Sequence, residues 1–299
     1  MLQRNKDIVI YGVPFRSGCS REGAQYAPKW LLDNIPLYES ACHMLQFPSE
    51  NVPLTDIQIN GIKNYNAVCQ MKEVLKTCVN EATNKGKNVV TIGGDHSIAI
   101  GSIAGVLQTY PNLGVLWFDA HTDINTELSS PSGNAHGMPL AALMGSCESG
   151  INVNEHCLNS QNVFWIGARD IDDGEWDIIR TLNIEDHVYT SEMVHKLGIN
   201  NIMEEIREKL KKNGVKYLHL SFDIDGMDPS IVPATGTPVV NGLIDADFEG
   251  FINETVRNMP RLVSVDFVEY NPQIDDEMHS TGRWCVNALT KLIDIITKQ

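Results

Sequence analysis

The chain has 299 residues, 42% of them apolar and 20% charged, which is enough material for a substantial core and is not the composition of a disordered chain. A formal net charge of -15 argues against general attraction to nucleic-acid phosphates or to anionic lipid, both of which need clustered Lys and Arg. Neither a nucleic-acid nor a membrane partner is therefore expected; a small cation is a better-matched ligand, while acidity also serves plain solubility.

The opening MLQRNKDIVIYGV holds no sustained apolar segment, and no run of 18 apolar residues occurs anywhere, so the expected address is the cytosol. Its last part, DIVIYGV (7–13), is the first of six short β-branched runs that read as buried strands. A helical spacing follows over 68–82 (VCQMKEVLKTCVNEA), then a strand over 88–94 (NVVTIGG), a helix over 98–110 (IAIGSIAGVLQTY) and a strand over 113–119 (LGVLWFD). The polar stretch from Thr122 to His136 reads as a loop. Beyond it come a strand at 162–168 (NVFWIGA), a helix at 201–214, a strand at 215–225 (VKYLHLSFDID), a helix at 248–259, a strand at 261–270 (RLVSVDFVEY) and a last helix at 284–299. Seven cysteines (Cys19, Cys42, Cys69, Cys78, Cys147, Cys157 and Cys285) form no CxxC pair and suggest buried thiols rather than disulfides or a zinc knuckle.

Strands alternating with helices imply βαβ crossovers and a mainly parallel sheet covered on both faces. With no linker, repeat or low-complexity tract, the expectation is one three-layer αβα domain over 1–299. In such folds ligands collect at the carboxyl ends of the strands.

Three of those ends carry ionisable groups. WFDAHTD places Asp119, His121 and Asp123 two residues apart, so that in an extended segment all three point one way. Asp223 and Asp225 repeat the spacing in SFDID, and GGDHS adds His96 at the start of the next helix, with Asp95 and Ser97 as N-cap groups. Asp228 reads as a turn residue and stays outside the site. Two imidazoles and four carboxylates, with no thiolate, suit hard or borderline ions such as manganese better than structural zinc. Six ligands are too many for one catalytic ion with an open position, so two divalent ions are expected, able to lower the pKa of a shared water.

GGDHS, DAHTD and SFDIDGMDPS, in this order, make the chain resemble the ureohydrolase family of arginases, agmatinases and formimidoylglutamases. The resemblance implies an αβα fold with two Mn²⁺ ions, one held by His96, Asp119, Asp123 and Asp223, the other by Asp119, His121, Asp223 and Asp225. The loop INTELSSPSGNAHG (124–137) looks like the arginase version, which implies that Asn125, Ser132 and Asn134 bind the α-carboxylate of L-arginine. GARDIDDGE is similar to arginases at Asp170, Asp172 and Glu175, with Asp172 receiving the α-amino group; VDFVEYNP matches at Glu269, which would pair with the guanidinium; Thr237 in TGTPVV would lie near the substrate or serve only the turn. By the same resemblance a metal-bridging hydroxide cleaves arginine to ornithine and urea, Asp123 relays its proton and His136 is a proton shuttle. A homo-oligomer, trimer or hexamer, is the family expectation, although Ala246 and Asp247 stand where some arginases carry an interfacial Arg-Glu pair. The alternatives are an agmatinase-like hydrolase of a decarboxylated guanidine and a non-catalytic arginine-binding protein.

Overall fold

The computed structural model describes residues 8–36, 42–47, 54–55, 57–257 and 259–298; Asp7, Asn258 and Gln299, which three predicted elements include, lie outside these. Among the described residues the strands are β1 (Ile8–Val13), β2 (Cys42–Met44), β3 (Gln58–Ile59), β4 (Ile62–Lys63), β5 (Asn88–Gly93), β6 (Leu113–Phe118), β7 (Val163–Ala168), β8 (Val188–Thr190), β9 (Tyr217–Asp223) and β10 (Arg261–Val268). The helices are α1 (Ala27–Asn34), α2 (Tyr65–Asn84), α3 (Ala99–Thr109), α4 (Pro139–Leu143), α5 (Asp173–Thr181), α6 (Ser191–Leu197), α7 (Ile199–Lys212), α8 (Asp245–Val256) and α9 (Ser280–Lys298). All six predicted strands and all five predicted helices are present. The additional elements are mostly too short to show a period: β2 and β8 have three residues each and lie at the two edges of the sheet.

Eight strands form one sheet in the order β2-β1-β5-β10-β9-β6-β7-β8, and every pairing is parallel. Strands β3 and β4 make a separate antiparallel hairpin. After β5 the chain skips two places to β6, and only β9 and β10 later fill the gap. The carboxyl ends of β5, β10, β9 and β6 therefore lie side by side at the centre of the sheet, at a topological switch of the kind that collects ligands.

Period-two alternation feeds two cores. Val90, Ile92, Leu116, Phe118, Phe164, Ile166, Leu220 and Phe222 face a layer built from α1, α6, α7, α8 and α9. Val89, Val115, Trp117, Val163 and Trp165 face α2, α3 and α4. Strands β9 and β10 break the apolar pattern on this second face with buried His219, Ser221, Ser264 and Asp266. His219 Nδ1 lies 2.7 Å from Ser264 Oγ, and Ser102 of α3 donates to Asp266. The seven cysteines are free thiols. Among the described residues no helix is long and apolar enough to cross a membrane.

Candidate metal centre

The motif after β6 does not continue the strand. β6 ends at Phe118, Asp119 to His121 form a bend, and Asp123 takes a left-handed conformation with φ 48°. Convergence of Asp119, His121 and Asp123 thus comes from a loop rather than from strand alternation. Asp119 N–H still donates to Ile166 O at 3.2 Å, but His121 N–H turns to Asp119 Oδ1 at 2.7 Å, a local bond that competes with an extended backbone. Asp223, the last residue of β9, does the same for Asp225, whose N–H it accepts at 2.8 Å; Asp225 itself sits in a single 3-10 turn, Ile224–Gly226. His96 opens another 3-10 turn, His96–Ile98, which leads into α3. Asp95 caps that turn through Ser97 N–H at 3.0 Å and also accepts from Gly18 N–H at 2.8 Å, so the capping role expected of it holds. Gly94 is required just before it, since a Cβ there would lie 1.7 Å from the Phe15 carbonyl oxygen. Asp228 binds the N–H of Ser230 and of Gly242, as a turn residue should.

All six predicted metal ligands come together. His96 Nδ1 lies 3.0 Å from Asp119 Oδ2, 3.1 Å from Asp123 Oδ2 and 3.2 Å from Asp223 Oδ2. His121 Nδ1 lies 3.3 Å from both Asp119 Oδ1 and Asp225 Oδ2. Two groups could therefore each hold an ion, His96/Asp119/Asp223 and Asp119/His121/Asp225, with Asp119 common to both. Four carboxylates are buried here, Asp119 fully. Burial and the neighbouring Asp119 push Asp123 up to about 6; burial, Asp225 and Asp119 hold Asp223 well above the usual carboxylate range. Burial opposes charge on the His96 ring, yet Asp119, Asp123 and Asp223 raise its pKa well above normal, and Asp225 and Asp119 do the same for His121. Such a cluster repels itself without a cation.

The donor set fits that cation. His96 Nδ1 and Asp119 Oδ2 are buried and have no hydrogen-bond partner, although they lie 3.0 Å apart: both face the same point without bonding each other. The other ring nitrogen, Nε2, is 2.8 Å from Ser221 Oγ, and the ring stacks on Trp117 at 4.1 Å and 6°. With Nε2–H donated to Ser221, the Nδ1 lone pair is free for a metal. Ser221 and Trp117 were missed in the sequence, although each precedes a ligand aspartate by two residues.

A cavity of about 290 Å³ opens over this floor, with His121, Asp123 and Asp223 in its lining. Asn125, Ser132, Asn134 and His136 line it from the 122–136 loop, and Asp170, Asp172, Glu175 and Thr237 line it from the segments after β7 and β9. Asn125 Nδ2 donates to Asp172 Oδ2 at 2.9 Å, joining the two walls. Glu175 is a buried brace: its oxygens accept Ile124 N–H and Asp172 N–H at 3.1 and 3.0 Å, and burial followed by Asp123 pushes it up to about 7. Thr237 donates to Asp225 Oδ2 at 2.9 Å. Asp170 is exposed, 3.8 Å from His121 Nε2. The described residues that line the cavity do not include Glu269, which is buried behind it in a left-handed conformation with φ 68°. Its Oε1 accepts His96 N–H at 2.8 Å and lies 3.4 Å from His136 Nδ1. Left-handed backbone at two non-glycine residues, Asp123 and Glu269, costs about 1–3 kcal/mol each and is typical of sites where side-chain direction matters more than stability.

The sequence profile described as the Arginase family matches residues 6–293. Human arginase-1 is 37% identical over 92% of this chain and 88% of its own. The crystal structure of Entamoeba histolytica arginase in complex with L-ornithine superposes with a TM-score of 0.84 at 34% identity, covering 96% of this chain and 98% of that one. The arginase of Bacillus caldovelox gives 0.86 at 34% identity with the same coverage.

Proposed function

The chain belongs to the arginase family, and on that footing we propose that it hydrolyses L-arginine to L-ornithine and urea with two Mn²⁺ ions, the residues 1–299 serving as one catalytic unit. The observation that carries the proposal is the pair of His/Asp groups sharing Asp119 beneath a cavity whose walls are polar. His96, Asp119, Asp123 and Asp223 would hold one ion, and Asp119, His121, Asp223 and Asp225 the other. Bound there, two divalent ions supply Lewis acidity and a water of lowered pKa, and four carboxylates offset their charge.

The chain's own groups do the rest. Asn125, Ser132 and Asn134 receive the α-carboxylate; Asp172, held in place by Asn125 and by the Glu175 brace, receives the α-amino group. These contacts align the guanidinium over the ligand floor, where Thr237 stands beside Asp225. Glu269 orients the guanidinium with its second oxygen, which lies 3.5 Å from where a Cβ on Gly236 would stand, next to the cavity-lining Thr237; its first is committed to His96 N–H. Asp123 accepts the proton of the attacking water at its carboxylate and passes it to the departing amine. His136, partly exposed and raised in pKa by Glu269 against the effect of burial, carries the other proton, which the water sheds before attack, to solvent at its imidazole.

A homo-oligomer is expected, but Asp247 serves its own helix here, accepting Ile244 N–H at 3.1 Å at the start of α8. Urea and ornithine release on adding two equivalents of Mn²⁺, abolished by chelation and restored by metal, tests the proposal. Arginine binding without turnover in the metal-loaded protein would overturn it.

A further inference from the structure

Arg169 follows β7 directly, in a segment whose sequence draws attention to its acids. Its guanidinium turns back under the ligand turn and is spent on backbone carbonyls. Nε donates to Val239 O and Val240 O at 3.3 and 3.2 Å, and Nη1 to Gly167 O and Gly226 O at 2.9 and 3.1 Å. Nη2 donates to Asp225 O at 2.7 Å, Met227 O at 3.1 Å and Val239 O at 2.8 Å. The backbone N–H of Arg169 donates to Ala120 O at 2.7 Å, and Ala120 N–H in turn donates to Asp225 Oδ1 at 3.1 Å. Ala120 separates Asp119 from His121.

One residue thus ties together the bend that carries Asp119 and His121, the turn that carries Asp225, and the Val239–Val240 end of the segment that carries Thr237. Gly242 makes room for it: a Cβ there would lie 2.6 Å from Nη2. Only a planar fork of five donors reaches so many carbonyls at once; a lysine ammonium offers three donors from one point. His96 is anchored by other means, through Ser221, Trp117 and the Glu269 carboxylate. The two metal groups therefore share Asp119 but have separate supports.

We infer that Arg169 is a positioning residue for the ion held by Asp119, His121 and Asp225, and that it sets the retention of that ion separately from the ion on the His96 side. This rests on the two-metal reading. Pinning the Asp225 carbonyl fixes the direction of its side chain, and pinning Ala120 fixes the angle between Asp119 and His121. Loosening both leaves the ligands in place but no longer converging.

The test is a metal count. Wild type, R169K and R169M are loaded with Mn²⁺ and equilibrated against a series of chelator-buffered Mn²⁺ concentrations. Ions per chain are counted by atomic emission, and circular dichroism and melting of the metal-free proteins are followed alongside. Both variants are expected to keep one ion with wild-type affinity and to hold the other about 10–100-fold more weakly, the usual cost of losing an outer support, with folded metal-free spectra. Equal weakening of both ions, two ions held as in wild type, or unfolded metal-free variants would each overturn the inference. A wild type that binds fewer than two ions would instead overturn the two-metal reading beneath it.

Discussion

Removing the metal should make stability fall as pH rises from 5 to 8. In the metal-free protein, burial and Asp119 raise Asp123 from 3.8 to about 6, a cost of roughly 3 kcal/mol at neutral pH from this one carboxyl. A carboxyl raised on folding binds more protons in the native state, so stability drops through the window from about 4 to about 6. Asp223, raised further by burial, Asp225 and Asp119, extends the loss upward in pH. His96 and His121 act in the same direction: with their pKa values raised on folding, their stabilisation is complete below about 6.5 and is lost as pH climbs through the folded values. Asp119, lowered by His121 and His96 against burial, acts oppositely, but only below the ordinary carboxylate range. At about 2.1 cal/mol/K per residue, 3 kcal/mol is roughly 5 °C in a chain of this length. Mn²⁺ at about 100 times its Kd at each of two sites adds roughly 5 kcal/mol, or about 9 °C, and adds most at high pH, where ligands need not shed protons. Differential scanning fluorimetry of chelated and Mn²⁺-loaded protein at pH 5, 6, 7 and 8 measures both. A metal-free Tm that rises with pH across this range, or a manganese gain independent of pH, would refute the reasoning.

Asp223→Asn should leave the metal-free Tm within about 2 °C of wild type, because it removes a charge that burial, Asp225 and Asp119 already oppose, yet it should abolish most of the manganese gain; the same melts decide it. Glu269→Gln should retain two ions per chain by atomic emission while kcat falls by about 10²-fold or more, since in the proposed role it removes a charge from beside the guanidinium and not a metal ligand; unchanged kcat would remove Glu269 from the chemistry. Asn125→Ala and Ser132→Ala should narrow the preference for L-arginine over agmatine by about 10-fold each, read as the ratio of kcat/KM values.

Much of the site was legible because its chemistry sits at strand ends, where an apolar run followed by an acid gives both the strand and its edge. Asp223 ends β9 two residues short of the predicted strand, and Asp225 sits in the 3-10 turn that follows. For DAHTD, alternation predicts convergence only in an extended chain, whereas Asp119 captures His121 N–H and bends it. The gathering of β5, β6, β9 and β10 could not be read locally, because β9 and β10 enter the middle of the sheet after the chain has passed it. Arg169 was invisible for another reason: its partners are backbone carbonyls, which leave no side-chain signature. Glu269 was found by its motif, but its place behind His136 comes from a left-handed backbone that sequence does not announce.

The most direct measurement is kcat/KM for L-arginine and for agmatine on the same Mn²⁺-loaded preparation, with urea as the readout. A site that hydrogen-bonds the α-carboxylate through Asn125, Ser132 and Asn134 should favour L-arginine by about 10³-fold or more, because agmatine leaves those groups unpaired. Equal efficiency, or a preference for agmatine, would contradict the assignment of L-arginine as substrate.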